Sequence, residues 1–226
     1  MRERERERER KKSPIRFSST MHVYNPRIDA VKQEARRIFT RRTRGVNPEE
    51  STELERLCFL LSNILASDVN EKLQHLQRGQ VGHFSLGDSC DEMHFTIDVF
   101  LFAPGSYIPL HDHPNMCVIS QVVYGSVDIT SFDFDFDFRE NLVGHLVDKG
   151  RFFAPTTRIL FANAGGNLHC FSTETGCIII DVMSPPYNEQ EGRECTYYNA
   201  NSGDGLRFQL LPIEIPEDFE ILDLSS

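Results

Sequence analysis

The stretch Gly105-Ser-Tyr-Ile-Pro-Leu-His111-Asp112-His113 holds the residue types best suited to chemistry. Two histidines at i and i+2 on an extended segment point to the same side, as two ligands of one metal must, and Asp112 then points the other way. A pair of imidazoles needs a third ligand. His169, in Gly166-Asn-Leu-His169-Cys-Phe, opens a later apolar segment that a jelly-roll would bring across the barrel. Spacing does not choose the ion, because three histidines with an open position also describe a catalytic zinc site. His22, His75, His83, His94 and His145 lack such a setting and read as surface or structural residues.

Asp181 lies inside Cys-Ile-Ile-Ile-Asp-Val-Met, a run otherwise fit for complete burial, so its carboxylate must find a donor. A ligand histidine, giving its second N–H, is the expected partner. Turn amides ahead of Ser184-Pro185-Pro186 are the alternative. Tyr187 follows the double proline on a stiff loop and either lines the mouth of the site or packs as a plain tyrosine. Cys195 and Tyr197 fall on one side of the chain if it is extended.

These residues must be positioned by recognisable elements. Asn25-Pro26 is a helix start, and Val31, Ala35, Ile38 and Phe39 recur at helical spacing, which predicts a helix over roughly 26–43. Asn47-Pro48 repeats the signal, and Leu54, Leu57, Cys58, Leu61, Ile64, Leu65, Leu73 and Leu76 predict a second helical stretch over 48–78. After Gly82 the pattern changes to period two or short apolar runs. Eight strands are expected, at 93–103, 107–111, 117–124, 127–136, 146–153, 158–162, 168–173 and 177–183, with a tight turn at Tyr124-Gly125-Ser126. SFDFDFDFRE at 131–140 alternates Phe132, Phe134, Phe136 and Phe138 toward a core with Asp133, Asp135 and Asp137 toward water. An acidic lip for a cationic substrate is the second reading of those carboxylates. The acidic end, EIPEDFEILDLSS, is expected to be only partly ordered.

Three regions follow: 1–24 as a charged tail, 25–80 as a helical lead-in packed on the barrel, and 81–226 as the β domain. The tail, MRERERERERKK, has no apolar position past Met1 and cannot enter a core. The chain has 226 residues, 39% apolar and 10% aromatic, enough for a sizeable core. Its net charge is −10, but residues 45–226 carry 9 Lys/Arg against 28 Asp/Glu, so the body is acidic and nucleic acid is an unsuitable partner. No run of eighteen apolar residues exists, so no membrane partner is expected. The six cysteines (Cys58, Cys90, Cys117, Cys170, Cys177, Cys195) show no CxxC and read as reduced thiols. A cytoplasmic and nuclear address and a monomeric state are the expectations.

Gly105, His111, His113 and Gly125 fall into the register of the first cupin motif, with Val118 where its glutamate ligand would stand. The second motif matches only in Gly166-x-x-His169, with Ala164 in place of its proline. A closer likeness lies in HDHPNMCVISQVVYGSV, GGNLHCF and IDVMSPPYNEQEGRECTYY, which resemble the thiol dioxygenase family of cysteamine (2-aminoethanethiol) dioxygenase and the plant cysteine oxidases. That resemblance implies a mainly β fold, a cupin double-stranded β-helix (jelly-roll) barrel preceded by two N-terminal helices. It implies Fe(II) held by His111, His113 and His169, with dioxygen as co-substrate and a thiol converted to a sulfinate. It implies as substrates cysteamine and proteins with an N-terminal cysteine, whose oxidation marks them for arginylation and degradation in an oxygen response. It also implies a support role for Asp181 and a thioether between Cys195 and Tyr197. The charge arithmetic agrees, since three neutral imidazoles leave a divalent ion its full charge and favour a thiolate. A zinc or nickel cupin hydrolase, isomerase or carbon dioxygenase, and a non-catalytic ligand-binding cupin, are the alternatives.

Overall fold

Asn25 starts the first helix as its sequence requires: the Asn25 side chain accepts from the backbone N–H groups of Arg27 and Ile28, and Pro26 takes the first helical position. The computed structural model describes residues 25–40, 52–70, 72–87, 94–135, 142–202 and 205–225. The 1–24 tail, the Asn47-Pro48 start signal, Cys90 and Phe136, Asp137 and Phe138 lie outside the described residues. Helix α1, Pro26–Phe39, buries Val31, Ala35, Ile38 and Phe39.

The long second helix is not found. Instead α2 spans Glu55–Ser62, followed by single turns at Ala66–Asp68 and Leu73–His75. The break has a local cause. Ser62 Oγ and Asn63 Nδ2 both donate back to the Phe59 carbonyl, and Asp68 accepts from the Leu65 N–H at 2.8 Å while pairing with Arg27. Leu57, Leu61, Ile64 and Val69 are nevertheless all buried. The apolar stripe identified the buried residues although its helical period did not continue.

Among the described residues eleven strands follow: β1 Val81–Ser85, β2 Thr96–Phe102, β3 Tyr107–His111, β4 Cys117–Asp135, β5 Val143–Phe153, β6 Thr156–Leu160, β7 Leu168–Ser172, β8 Cys177–Ser184, β9 Tyr197–Ser202, β10 Arg207–Ile213 and β11 Ile221–Asp223. One sheet runs β11-β1-β2-β8-β4-β6; in the other, β4-β5-β10-β9-β3-β7 closes on itself because β7 pairs with β4 again. The two expected strands 117–124 and 127–136 are one strand, β4, shared by both sheets. Gly125 makes the bend: its φ is +74°, and a Cβ there would lie 2.2 Å from the Gly176 carbonyl. The chain therefore kinks without turning back. Before the kink β4 pairs with β8 and β6, after it with β5 and β7.

Strands β2 and β8 lie under the helices and over the barrel interior. Ile97, Val99, Leu101, Ile178, Ile180 and Val182 pack outward with Leu57, Leu61 and Phe39, while Phe102 and Ile179 pack inward with Phe171. Burial on both sides explains the near-continuous apolar run of β8 and places Asp181 inside. The acidic C-terminal segment is ordered, contrary to the expectation drawn from its composition. Its strand β11 runs parallel to β1, and Leu224 donates its N–H to His83 and accepts from Lys72. No described helix is long and apolar enough to cross a membrane.

Candidate metal centre and its cavity

Strand β3 enters from the Gly105 turn, tied to the end of β7 by Gly105 N–H to Thr173 carbonyl and Thr173 N–H to Ser106 carbonyl bonds. A register shift between Ile108 and His111 offsets the two-residue alternation, and both side chains line one cavity. His111 is the last residue of β3, opposite His169 on β7 and Tyr197 on β9. His113 lies beyond the strand end, so it shares a side with His111 through its loop rather than through strand pleating. Asn167 sets that loop: its Oδ1 accepts from His113 N–H at 3.1 Å and its Nδ2 donates to His113 carbonyl at 2.8 Å.

The three imidazoles converge, with ligand atoms all within 4.8 Å of one another. The tautomers of His111 and His113 follow from their partners. His111 Nδ1 lies 2.8 Å from the Pro109 carbonyl, an acceptor only, so Nδ1 carries the hydrogen and Nε2 keeps its lone pair. Tyr187 hydroxyl donates to Asp112 carbonyl at 2.7 Å and accepts from His113 Nδ1–H at 2.8 Å. His113 Nε2 then faces His169 Nε2 at 2.9 Å. Burial holds all three imidazoles neutral, His111 at about 4 and the other two well below the usual histidine value. In the metal-free protein His169 Nε2–H can donate to His113 Nε2, and a metal ion would take that hydrogen's place; metal ligands must be unprotonated, so the neutral donor set fits a metal ion.

These shifts give the metal-free protein a definite pH response. In the unfolded chain imidazole takes up protons below about 6.5, whereas folded His111 waits until about 4, so between those values unfolding binds protons and stability falls as pH falls. Asp181, raised to about 7 from 3.8, acts in the opposite sense: its contribution is present at low pH and is lost as pH rises through about 7. Three imidazoles outweigh one carboxyl. The urea midpoint of chelator-treated protein is expected to drop on acidification from neutrality to about pH 5, and a flat or rising midpoint would contradict the geometry.

Asp112 does point away from the metal side, and it has work there. Its carboxylate accepts from Thr196 N–H at 2.9 Å and Tyr198 hydroxyl at 3.0 Å, which holds the segment carrying Cys195 and Tyr197 against the cavity. Cys195 thiol lies beside the hydroxyls of Tyr187 and Tyr197. Burial pushes the Cys195 thiol up to about 11, so it is not a thiolate at neutral pH. Asp181 lines the cavity with Tyr187, Cys195 and Tyr197 but is not the partner of a ligand histidine in the way its sequence position suggested. His111 and His113 give their second N–H groups to Pro109 and Tyr187, and Asp181 Oδ1 is buried with no hydrogen-bond partner. A buried carboxylate in an aromatic and aliphatic enclosure is held up to about 7, mainly by burial and further by Asp98.

Three supports were invisible in the sequence: Asp112, Asn167 and Asp133. Asp133 does not face water. It accepts from the N–H groups of Gly165, Gly166 and Asn167 at 3.1, 2.7 and 3.1 Å, and so fixes the loop that delivers His169. Asp135 pairs with Arg207, and neither aspartate lines the cavity, so the acidic-lip reading is set aside for these two. Asp133→Ala is expected to cost about 2 kcal/mol of stability and to weaken metal binding about 10-fold, measured by denaturation and by metal titration. Full metal affinity in the folded variant would show the loop to be held otherwise. The C-terminal segment also contributes: Ile221 lines the cavity, and Phe219 wedges between Tyr107 and Tyr197 at ring distances of 5.8 and 5.9 Å. A three-residue parallel strand has no periodicity by which to find it.

Two sheets joined through β4, with three neutral imidazoles meeting in the interior, define a metal-binding double-stranded β-helix of the cupin class. A family model described as PCO_ADO matches residues 60–222, and the chain belongs to that family. It is 34% identical over 176 residues to plant cysteine oxidase 2 of Arabidopsis thaliana, covering 72% of this chain and 62% of that one. It is 36% identical over 128 residues to the probable 2-aminoethanethiol dioxygenase of Dictyostelium discoideum, covering 52% and 56%. With the human 2-aminoethanethiol dioxygenase it shares 30% identity over 131 residues, covering 47% and 48%. The chain thus spans less than two thirds of the length of these relatives. Among solved structures, a cupin superfamily protein of Desulfitobacterium hafniense aligns with a TM-score of 0.37 at 16% identity, covering 49% of this chain and 83% of that one.

Proposed function

We propose that this protein is an iron(II)-dependent thiol dioxygenase that converts an aminoethanethiol head group, in cysteamine or in the N-terminal cysteine of a protein, to a sulfinate. The observation that carries this reading is the donor set: three buried neutral imidazoles and, among the described residues, no carboxylate ligand, facing a cavity of about 180 Å³. Bound iron(II) would supply the electron transfer that lets dioxygen react with a thiol.

The chain's own residues select the substrate. No Lys or Arg among the described residues lines the cavity, so the α-carboxylate of free cysteine would have no cationic side chain to pair with there. Cysteamine has no carboxylate, and an N-terminal cysteine in a peptide has an amide in its place. Asp181 lines this space and would take a proton or accept from the substrate amine. Tyr187 keeps His113 in the tautomer that leaves Nε2 free, and the walls of Phe100, Phe102 and Ile179 keep bulk water out. Cys195 and Tyr197 stand side by side, which supports the thioether between them. On a peptide substrate the reaction would make protein lifetime depend on oxygen.

The test is incubation of iron(II)-loaded protein in air with cysteamine and with a peptide bearing N-terminal cysteine, each product weighed by mass spectrometry. A gain of two oxygen atoms is expected on either thiol, and the single tryptic segment containing Cys195 and Tyr197 is expected two hydrogens lighter after turnover. No oxygen on either thiol, with iron shown to be bound, overturns the reading.

A further inference from the structure

The interior faces of β2 and β8 are apolar apart from Thr96 at the start of β2 and one level of paired carboxyls. There Asp98 and Asp181 stand directly opposite each other in the antiparallel pairing. Each is only 5% exposed. Side chains so placed have Cβ atoms about 5 Å apart. At that separation the Asp98 carboxylate bears on Asp181 and, after burial, adds to what raises the Asp181 carboxyl to about 7. On the far side Ser120 of β4 lies opposite Asp181, close enough for its hydroxyl to favour the Asp181 carboxylate.

The line does not end at Asp98. Asp98 Oδ1 lies 3.0 Å from His83 Nε2, and the His83 side chain is 31% exposed. Asp223 of β11 pairs beside His83, with the Lys72 charge near it. Ionisable groups therefore run from the metal cavity to water in the order Asp181, Asp98, His83. Neither His83 nor Asp98 lines the cavity. Burying a second carboxylate next to the first is costly.

We propose that Asp98 and His83 form a proton path that connects Asp181 in the metal cavity with solvent. This rests on the thiol dioxygenase reading, because that reaction has a proton to dispose of: R–SH + O2 gives R–SO2⁻ + H⁺. The sulfur gives up four electrons, dioxygen accepts them, and both oxygen atoms stay on sulfur. No further oxidant or reductant enters. The S–H bond breaks, the Asp181 carboxylate takes the proton, and Asp98 receives it in turn. His83 accepts it at Nε2 and releases the proton of its other ring nitrogen to water. His83 and Asp98 act through Asp181 and do not touch the substrate.

The test compares iron-loaded wild type with Asp98→Asn, His83→Gln and His83→Ala, using thiol oxidation, iron content and a readout independent of turnover. Both isosteric variants are expected to keep their iron while kcat falls about 10-fold and its pH profile shifts. Added imidazole is expected to restore much of the loss in His83→Ala, because that position is open to solvent, and not in Asp98→Asn. In the metal-free protein the infrared band of a protonated carboxyl, assigned by its absence in Asp181→Asn, is expected to titrate at lower pH in Asp98→Asn, where the like charge is gone. An unmoved band, or a pH profile unchanged in both isosteric variants of an active enzyme, overturns the path alone. Wild type that oxidises no thiol overturns the function and the path with it.

Discussion

His169→Ala is expected to reduce thiol oxidation at least about 1,000-fold and to remove tight metal binding, because the variant loses one of the three donors on which the ion depends entirely. No carboxylate among the described residues completes the cluster, so no neighbouring side chain takes over. The metal-free variant is expected to remain folded. Strand β7 is held by backbone pairing to β3 and β4, and the lost ring, packed on Phe171 at 4.4 Å between centroids, leaves space beside two other polar rings. A discriminating measurement is thermal unfolding with and without iron(II). Wild type gains about 2.7 kcal/mol when metal stands at a hundredfold excess over its dissociation constant, and the variant gains nothing at the same concentration. A variant that still binds iron and oxidises thiol would remove His169 from the site.

Asp181→Asn has a smaller effect on rate but moves activity and stability in opposite directions. The amide fills the same volume yet cannot take a proton, so kcat is expected to fall about 100-fold, within the range that a positioned acid or base contributes. Stability should rise at alkaline pH. The folded carboxyl is raised to about 7 from 3.8, so between those values the wild type loses roughly 1.4 kcal/mol per pH unit through this group, the loss is complete above about 7, and the variant has none of it. The check is a urea midpoint at mildly acidic and at alkaline pH beside steady-state kinetics. A variant equally pH-sensitive in stability would mean that Asp181 is not the group titrating in the interior. This trade, a destabilising ionisable group kept inside a barrel, is what a functional site leaves in a core that could otherwise be wholly apolar.

The sites of greatest chemical interest were legible as residue types and spacings. His111 and His113 stand out because two imidazoles in three residues after a glycine turn have few structural uses, and Asp181 because a carboxylate inside an Ile/Val run demands an explanation. The capping signal at Asn25 and the apolar stripe through Leu57 and Leu61 are also local, depending on neighbours within a turn or two. Most of the strands are visible for the same reason, since pleat alternation is written along the chain.

What the chain does not state locally is who meets whom. Asn167 and His113, 54 residues apart, clamp one another only because β4 crosses from one sheet to the other at Gly125 and brings β7 to the end of β3. Asp133 looked like one of several solvated carboxylates until the 165–167 loop arrived to donate three amides to it. His83 looked like a surface histidine until β1 set it beside β2 and hence beside Asp98. The acidic C-terminal segment looked loosely held because its order comes from β1 and from the rings of Tyr107 and Tyr197, not from its own composition. Residue chemistry and periodicity, which act over a few positions, therefore determined by themselves which groups could bind a metal and which stretches would be buried. The tertiary structure alone decided which nitrogen each histidine offers and which carboxylates lie together, because those depend on strand register between segments distant in sequence.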